Sequence, residues 1–352
     1  MAFRLTQHTP LAEDLRRRAD TELGAAIDRL LDHASPPGPR VHAARKAIKR
    51  VRALLRLVRA GLPPQRFRAH NLALGDAARG LSAARDAAVA LATFDRLVPA
   101  DDPLAALRPR LASHPAPTHP APTPAPTPAP THPAPTHPAP TSPDPHGAPP
   151  TTAGLASPDP APQTTAEPTE LAQPTTPEPD PPPTPEPADP LPIAAAALAS
   201  VRTSLAADLS DLRFAHLAAG LKDSYGGGRR ALRASLTAAA GDDETFHAWR
   251  KRAKDLWYQC QLLQGACPPL LGALEGMLDE LGERLGDDHD LAVLQAAAPP
   301  SAELDQRIAA HHHDLRDAAW RLGRQIYAER PRAFVRRIEA YWQAWRREPL
   351  RA

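Results

Sequence analysis

The sequence predicts an all-α protein built on an internal duplication, and three observations predict it. Apolar residues recur at three- and four-residue spacing through most of the chain, and no segment alternates apolar and polar as a half-buried strand would. Of 45 prolines, 32 lie between Pro103 and Pro192, which leaves the remainder proline-poor and rich in alanine and leucine, good helix formers. The stretch Val41 to Arg52 returns about 205 residues later as Phe246 to Trp257, so that His42, Arg45, Lys46 and Lys49 match His247, Arg250, Lys251 and Lys254. A repeat at a fixed offset argues for two related halves and hence for pseudo-twofold architecture.

The elements follow in order. Leu15, Ala19, Leu23, Ala26, Ile27, Leu30 and Leu31 give a helix over Glu13 to His33, which stops at Ser35-Pro36-Pro37-Gly38-Pro39. A cationic helix from about Arg40 to Ala60 ends at Gly61-Leu62-Pro63-Pro64, and a helical run from Gln65 to Leu97 follows. These form an N-terminal helical half over residues 1–112. Residues 113–190, with their His-Pro-Ala-Pro-Thr repeats, cannot bury enough apolar surface to offset the entropy of ordering, and are expected to be a disordered, extended linker. A protein partner docking on this tract is the open alternative to a tolerated insertion.

The C-terminal half, residues 191–348, opens with a helical run to Ala219. A break is expected at Gly226-Gly227-Gly228, before Arg229, Arg230 and Arg233. The second cationic helix starts after Gly241, with Asp242 or Asp243 as its N-cap, and ends at Pro268-Pro269. Helix resumes to Ala298 and again over Glu303 to Arg346, interrupted at Pro331.

Charge points to the ligand class. Formal net charge is +2, yet residues 113–190 hold eight acids and no Lys or Arg, so the rest of the chain carries about +10. No Asp or Glu occurs between Asp32 and Asp76, although Arg45, Lys46, Lys49, Arg50, Arg52 and Arg56 all do. Like charges one turn apart destabilise a helix by about 0.2–0.5 kcal/mol per pair, so an unrelieved stripe points to a polyanionic ligand. At 100° per residue the cations of each copy share one face. Val41, Ala44, Ile48, Val51 and Leu55 lie opposite in the first copy, and Phe246, Trp249, Ala253, Leu256, Cys260 and Leu263 in the second. A histidine begins each stripe, and a nearby phosphate would favour its charged, donating form.

Other features exclude more than they assign. Cys260 and Cys267 match no zinc spacing, and Cys260 reads as core. His311-His312-His313 points in three directions on a helix, so at most two can converge. Met1 to Gln7 carries no apolar leader, and no run of about 18 apolar residues is evident. The expectation is a cytoplasmic protein with reduced thiols, no membrane association, no metal site and no cofactor. Asp86 and Asp290 match in a second repeated segment, Leu81 to Val89 against Leu285 to Val293, and read as partners for neighbouring cations.

Five motifs in order carry a resemblance. They are His42-x-x-Arg45-Lys46-x-x-Lys49-Arg50-x-Arg52, Ala84-Arg85-Asp86-x-x-Val89, Tyr225-x-x-x-Arg229-Arg230-Ala231-Leu232, His247-x-x-Arg250-Lys251-x-x-Lys254 and Leu285-Gly286-x-x-x-Asp290-x-x-Val293. Together they resemble the CHAD domain, the conserved-histidine α-helical domain, over residues 1–112 and 191–348. The resemblance implies two four-helix bundles related by pseudo-twofold symmetry, with a basic groove between them that binds inorganic polyphosphate. His42, Arg45, Lys46, Lys49, Arg50 and Arg52 would line one side, with Arg56 continuing the stripe. His247, Arg250, Lys251 and Lys254 would line the other, with Arg229, Arg230 and Arg233 nearby.

Trp257 stands where the first repeat has Arg52, and Tyr258 and Gln261 continue the second stripe less basically, so unequal half-sites are expected, the first gripping more tightly. Members of the family often carry a triphosphate-tunnel barrel, and no strands that could build one are evident here. Binding without hydrolysis or synthesis is therefore the expectation, in the cytoplasm and in association with polyphosphate granules. Two rivals remain. A helical nucleic-acid binder would use the same cations, but base readout or stacking calls for Asn, Gln or aromatics that the first stripe lacks, so no specific nucleic acid is expected. An enzyme would use His42 or His247 with Asp86 or Asp290.

Overall fold

Prolines and capping side chains set where the helices begin. The computed structural model describes residues 3–81, 86–113, 189–239 and 242–349, the side chains of Asp86 and Ala87 excepted. Among these residues there are eleven α-helices and no strand: α1 (Leu11–Leu31), α2 (Pro37–Leu57), α3 (Pro64–Gly80), α4 (Asp86–Leu97), α5 (Arg108–Ser113), α6 (Pro190–Asp208), α7 (Phe214–Ser235), α8 (Asp243–Leu263), α9 (Pro268–Ala297), α10 (Ala302–Ile326) and α11 (Pro331–Arg347). The protein is all-α. Helices α2, α3, α6, α9 and α11 start on proline, whose missing N–H costs nothing in a first turn. Asp242 caps α8 by accepting from the Thr245 N–H at 3.1 Å, as the sequence indicated.

Three expectations about boundaries change. The run from Gln65 to Leu97 is two helices, α3 and α4. The run expected from 191 to 219 breaks over Leu209 to Arg213. Gly226-Gly227-Gly228, expected to interrupt the chain, lies inside one continuous helix, α7. The glycines are there because neighbours come close. The Tyr327 hydroxyl occupies the space of a side chain at Gly228, and a Cβ on Gly227 would meet the Arg252 Cδ at 3.4 Å. The linker expected over 113–190 lies, beyond Ser113 and before Asp189, outside the described residues.

Apolar faces then decide the packing. In α2, Ala44, Ala47, Ile48, Val51, Leu54 and Leu55 are buried; in α8, Phe246, Trp249, Ala253, Leu256, Cys260 and Leu263 are buried. Helix α2 packs on α1, α3, α7 and α8, while α8 packs on α7, α9 and α2. Helix α6 packs on α1 and α3, so the first helix beyond the proline tract joins the helices that precede it. Helix α4 goes the other way, onto α9, where Phe94, Leu97, Leu111, Leu291, Leu294 and Ile308 build a second core. The two ends of the sequence are thus interlaced within one unit.

Helix α6 also qualifies the expectation about apolar runs. It is, among the described residues, long and apolar enough by composition to cross a membrane. Ser200, Arg202, Thr203 and Ser204 punctuate the run, which is why it does not read as a continuous apolar stretch in the sequence. Leu191, Ala194, Leu198, Val201 and Leu205 are buried, and Arg202 pairs with Asp20 of α1 at 2.5 Å.

Close approach joins α2 to α7. A Cβ on Gly220 would overlap the Leu57 carbonyl, backbone against backbone, so only glycine fits. Gly220→Ala is expected to lower stability by about 1–3 kcal/mol through overpacking. Gly276→Ala, on α9 with nothing within 4 Å of the added methyl, is expected to raise it by about 0.5–1 kcal/mol. Chemical denaturation of both single variants checks this, and a neutral Gly220→Ala would contradict the α2–α7 contact.

Candidate polyanion-binding surface

The two repeated helices touch each other. Arg56 Nη1 donates to Asp255 Oδ1 at 2.5 Å, and one turn away Gln259 Nε2 donates to the Ala53 carbonyl at 3.2 Å. Residue numbers rise along α2 as they fall along α8, so the helices cross with opposite sense. Asp255 is buried. Burial pushes its carboxyl above the ordinary range, against the pull of Arg56, Arg252 and Arg52. It is the acid around which cations from both repeats gather.

Those cations hold one another at a disadvantage. Arg52 is pushed down to about 10, first by burial and next by the Arg56 charge, with Asp255 opposing and Arg79 adding to the effect. Lys251, half exposed, is lowered by desolvation and by Arg52, Arg252 and Arg56, while Glu244, 3.9 Å away, opposes. Each shift says that the charged form lacks compensation. An anion placed here would supply it.

A third helix adds to the cluster. Arg252 lies against Gly227 of α7, where the Arg230 Nη2 also stands 3.9 Å from the Cβ position. On the far side, Arg52 Nε donates to Asn71 Oδ1 of α3 at 3.2 Å, and the Arg52 and Arg79 guanidiniums both adjoin Gly75. Arg52, Arg56, Lys251, Arg252 and Arg230 therefore form a contiguous band across α2, α8 and α7. Arg252 and Arg79 were missed in the sequence. Arg252 falls off the His-Arg-Lys stripe, and the signal for it was the glycine run, which clears the space its side chain fills.

The other sequence candidates divide. His42, Lys46 and Lys49 are exposed on α2, and Arg233 is exposed on α7 with Arg229 half-buried beside it. Arg45 and Arg250, matched in the repeat, turn to the next helix in each half. Arg45 donates to the Ala78 carbonyl of α3 at 2.8 Å, and Arg250 lies over Gly286 of α9. Lys254 follows Arg250 onto α9 above Gly282, 3.1 Å from Asp279 and 4.3 Å from the Trp257 ring centroid. His247 stacks near His289 of α9, with centroids 4.3 Å apart. Arg50 is drawn away from the band altogether: it pairs with Glu22 of α1 at 3.0 Å and covers the Phe3 ring. The Asp86 side chain lies outside the described set, and Asp290 stands 4.0 Å from Arg96 of α4.

The histidine tract behaves as single residues. His311 Nδ1 lies 3.0 Å from the Arg307 carbonyl, His313 is exposed, and His312 Nδ1 lies 2.6 Å from Asp288 Oδ1. Asp243, Asp288 and His312 come close enough together to hold a metal ion. Arg316 supplies positive charge among them: its guanidinium pairs with Asp288 at 2.7 Å and with Asp243.

Comparison with known proteins adds the family. No curated protein and no solved structure matches the chain. A family model for the CHAD domain matches residues 21–123 and 186–299, more than half of the chain, taking in α2, α7 and α8 and stopping before α10 and α11. With both cationic helices inside the matched stretches, the chain belongs to the CHAD domain family.

Proposed function

We propose that the band across α2, α8 and α7 binds inorganic polyphosphate without cleaving it, as a cytoplasmic protein acting at polyphosphate granules. The observation that carries the reading is the gathering of cations from both repeats where α2 and α8 cross, with Arg52 and Lys251 each lowered by burial first and by the Arg56 charge as well. The family's association with polyphosphate supports the choice of anion. A linear polyanion meets such a band with a phosphate at each cation, and counterion release makes the affinity fall with salt. Arg supplies forked donors and Lys a mobile point charge, so the pair suits a ligand of repeating, identical groups. Asp255 is engaged with Arg56, which supports a positioning role for it and not that of a catalytic base. Arg50, turned to Glu22, is left out of the ligand set.

The double variant Arg52→Glu, Lys251→Glu is expected to weaken long-chain polyphosphate binding by about 100-fold or more in calorimetry while circular dichroism stays helical, since no apolar face is touched. Unchanged affinity in a helical variant would refute the assignment. Incubation of the wild-type chain with polyphosphate and a divalent metal should leave chain lengths unchanged; time-dependent shortening contradicts the binding-only role. Competition with DNA at equal phosphate concentration should leave polyphosphate bound.

The pH dependence has a definite sign. Lys251 is lowered in the free protein, and a bound polyanion raises it, so binding takes up a proton in the window between the two values. Affinity is expected to fall as pH rises through that window, which opens below the ordinary lysine value of about 10.4. Lys251→Arg should flatten the fall. Calorimetry in buffers of different ionisation enthalpy reads the proton directly, and binding that takes up no proton as pH approaches the ordinary lysine value of about 10.4 would contradict the placement of Lys251.

A further inference from the structure

Arg230 does not end the cationic band. At Gly226 of α7 two groups share the space a side chain would take: the Arg230 Nη1, 3.5 Å from the Cβ position, and the Pro331 ring of α11, at 3.6 Å. The same guanidinium that neighbours Arg252 on one side therefore adjoins the first turn of α11 on the other. Pro331 is flanked by Arg330 and Arg332, both exposed. Neither has an acidic partner within ion-pair distance among the described residues. The nearby acid, Glu329, is engaged by Arg337.

Ring contacts and hydrogen bonds brace the corner. Helix α11 runs antiparallel to α7 on stacked rings, Phe334 on Tyr225 at 4.2 Å and Trp342 on Phe214 at 5.2 Å. The Tyr225 hydroxyl donates to the Ile326 carbonyl at 2.9 Å and accepts from the Glu329 N–H at 3.2 Å, which fixes the turn between α10 and α11. Arg330 and Arg332 thus flank the proline that shares the space at Gly226 with Arg230, outside the stretches that match the family.

We propose that this corner is a second contact for the same polyanion, reached only by long chains, so that a polyphosphate strand runs from Arg52 and Lys251 across Arg252 and Arg230 to Arg330 and Arg332. The inference rests on the proposed function and adds a chain-length preference to it. Once a strand is held at the α2–α8 crossing, its continuation reaches the corner as an intramolecular event, at a high effective concentration. A short phosphate oligomer occupies the first contact alone.

The test uses the full chain with Arg330→Glu, Arg332→Glu, titrated with triphosphate and with long-chain polyphosphate. Long-chain affinity is expected to fall about tenfold or more while triphosphate affinity stays within about twofold. Arg347→Glu, about 22 Å beyond Arg332 along α11, controls for reversing a charge elsewhere on the same helix and should change neither. Equal losses for both ligands, no loss for either, or the same loss from Arg347→Glu would overturn the second contact. A wild-type chain that binds neither length would overturn the underlying reading as well; normal wild-type binding with an unaffected double variant would overturn this inference alone.

Discussion

The pair between Arg56 and Asp255 is the interaction on which the rest depends. It lies where α2 and α8 cross, with the acid buried and cations of both helices around it. A buried carboxylate is costly unless it is paired, and removing one partner leaves the other uncompensated, so such a pair fixes geometry more than it adds stability. Here it fixes the distance between two cationic helices that would otherwise repel. The apolar faces bring the helices together, and the one acid at their crossing is too little to neutralise Arg52, Lys251 and Arg252 beside it. The same arrangement that closes the fold leaves a surplus of positive charge facing outward.

Small residues make that closeness possible. Gly220 lets α7 lie backbone to backbone on α2, Gly227 receives Arg252, and Gly282 and Gly286 receive Lys254 and Arg250. A glycine inside a helix costs roughly 0.5–1 kcal/mol relative to alanine. The chain accepts that cost where a cation or a second backbone takes the space. Long Arg and Lys stems then lie flat on the helices and present their charged ends at defined places.

Much of this was legible in the sequence, for local reasons. The apolar stripe of α8 read from spacing is buried at every position named, from Phe246 to Leu263, because a helix face is set by residues three and four apart. The breaks read at Pro63-Pro64, Pro268-Pro269 and Pro331, and the Asp242 cap, follow from backbone chemistry that needs no tertiary information; that these prolines also open the next helices shows in the structure. What was not legible depends on contacts distant in sequence. Arg50 lies on the cationic helix, yet Glu22 of α1 claims it. Gly226 to Gly228 look like a break until Tyr327, Arg252 and Pro331 are seen against them. No local pattern says that α6 returns to α1 while α4 leaves for α9.

The central claim is that cations from both repeats act as one site on a single polyanion. The salt dependence of polyphosphate affinity tests it most directly, measured by calorimetry over a range of ionic strength. With Arg52, Lys251, Arg252 and Arg230 each meeting a phosphate, the logarithm of the affinity should fall against the logarithm of salt with a slope of about −3 or steeper, by analogy with nucleic-acid backbones. A slope near zero, or binding whose salt dependence is unchanged when Arg52 and Lys251 are reversed in charge, would contradict it.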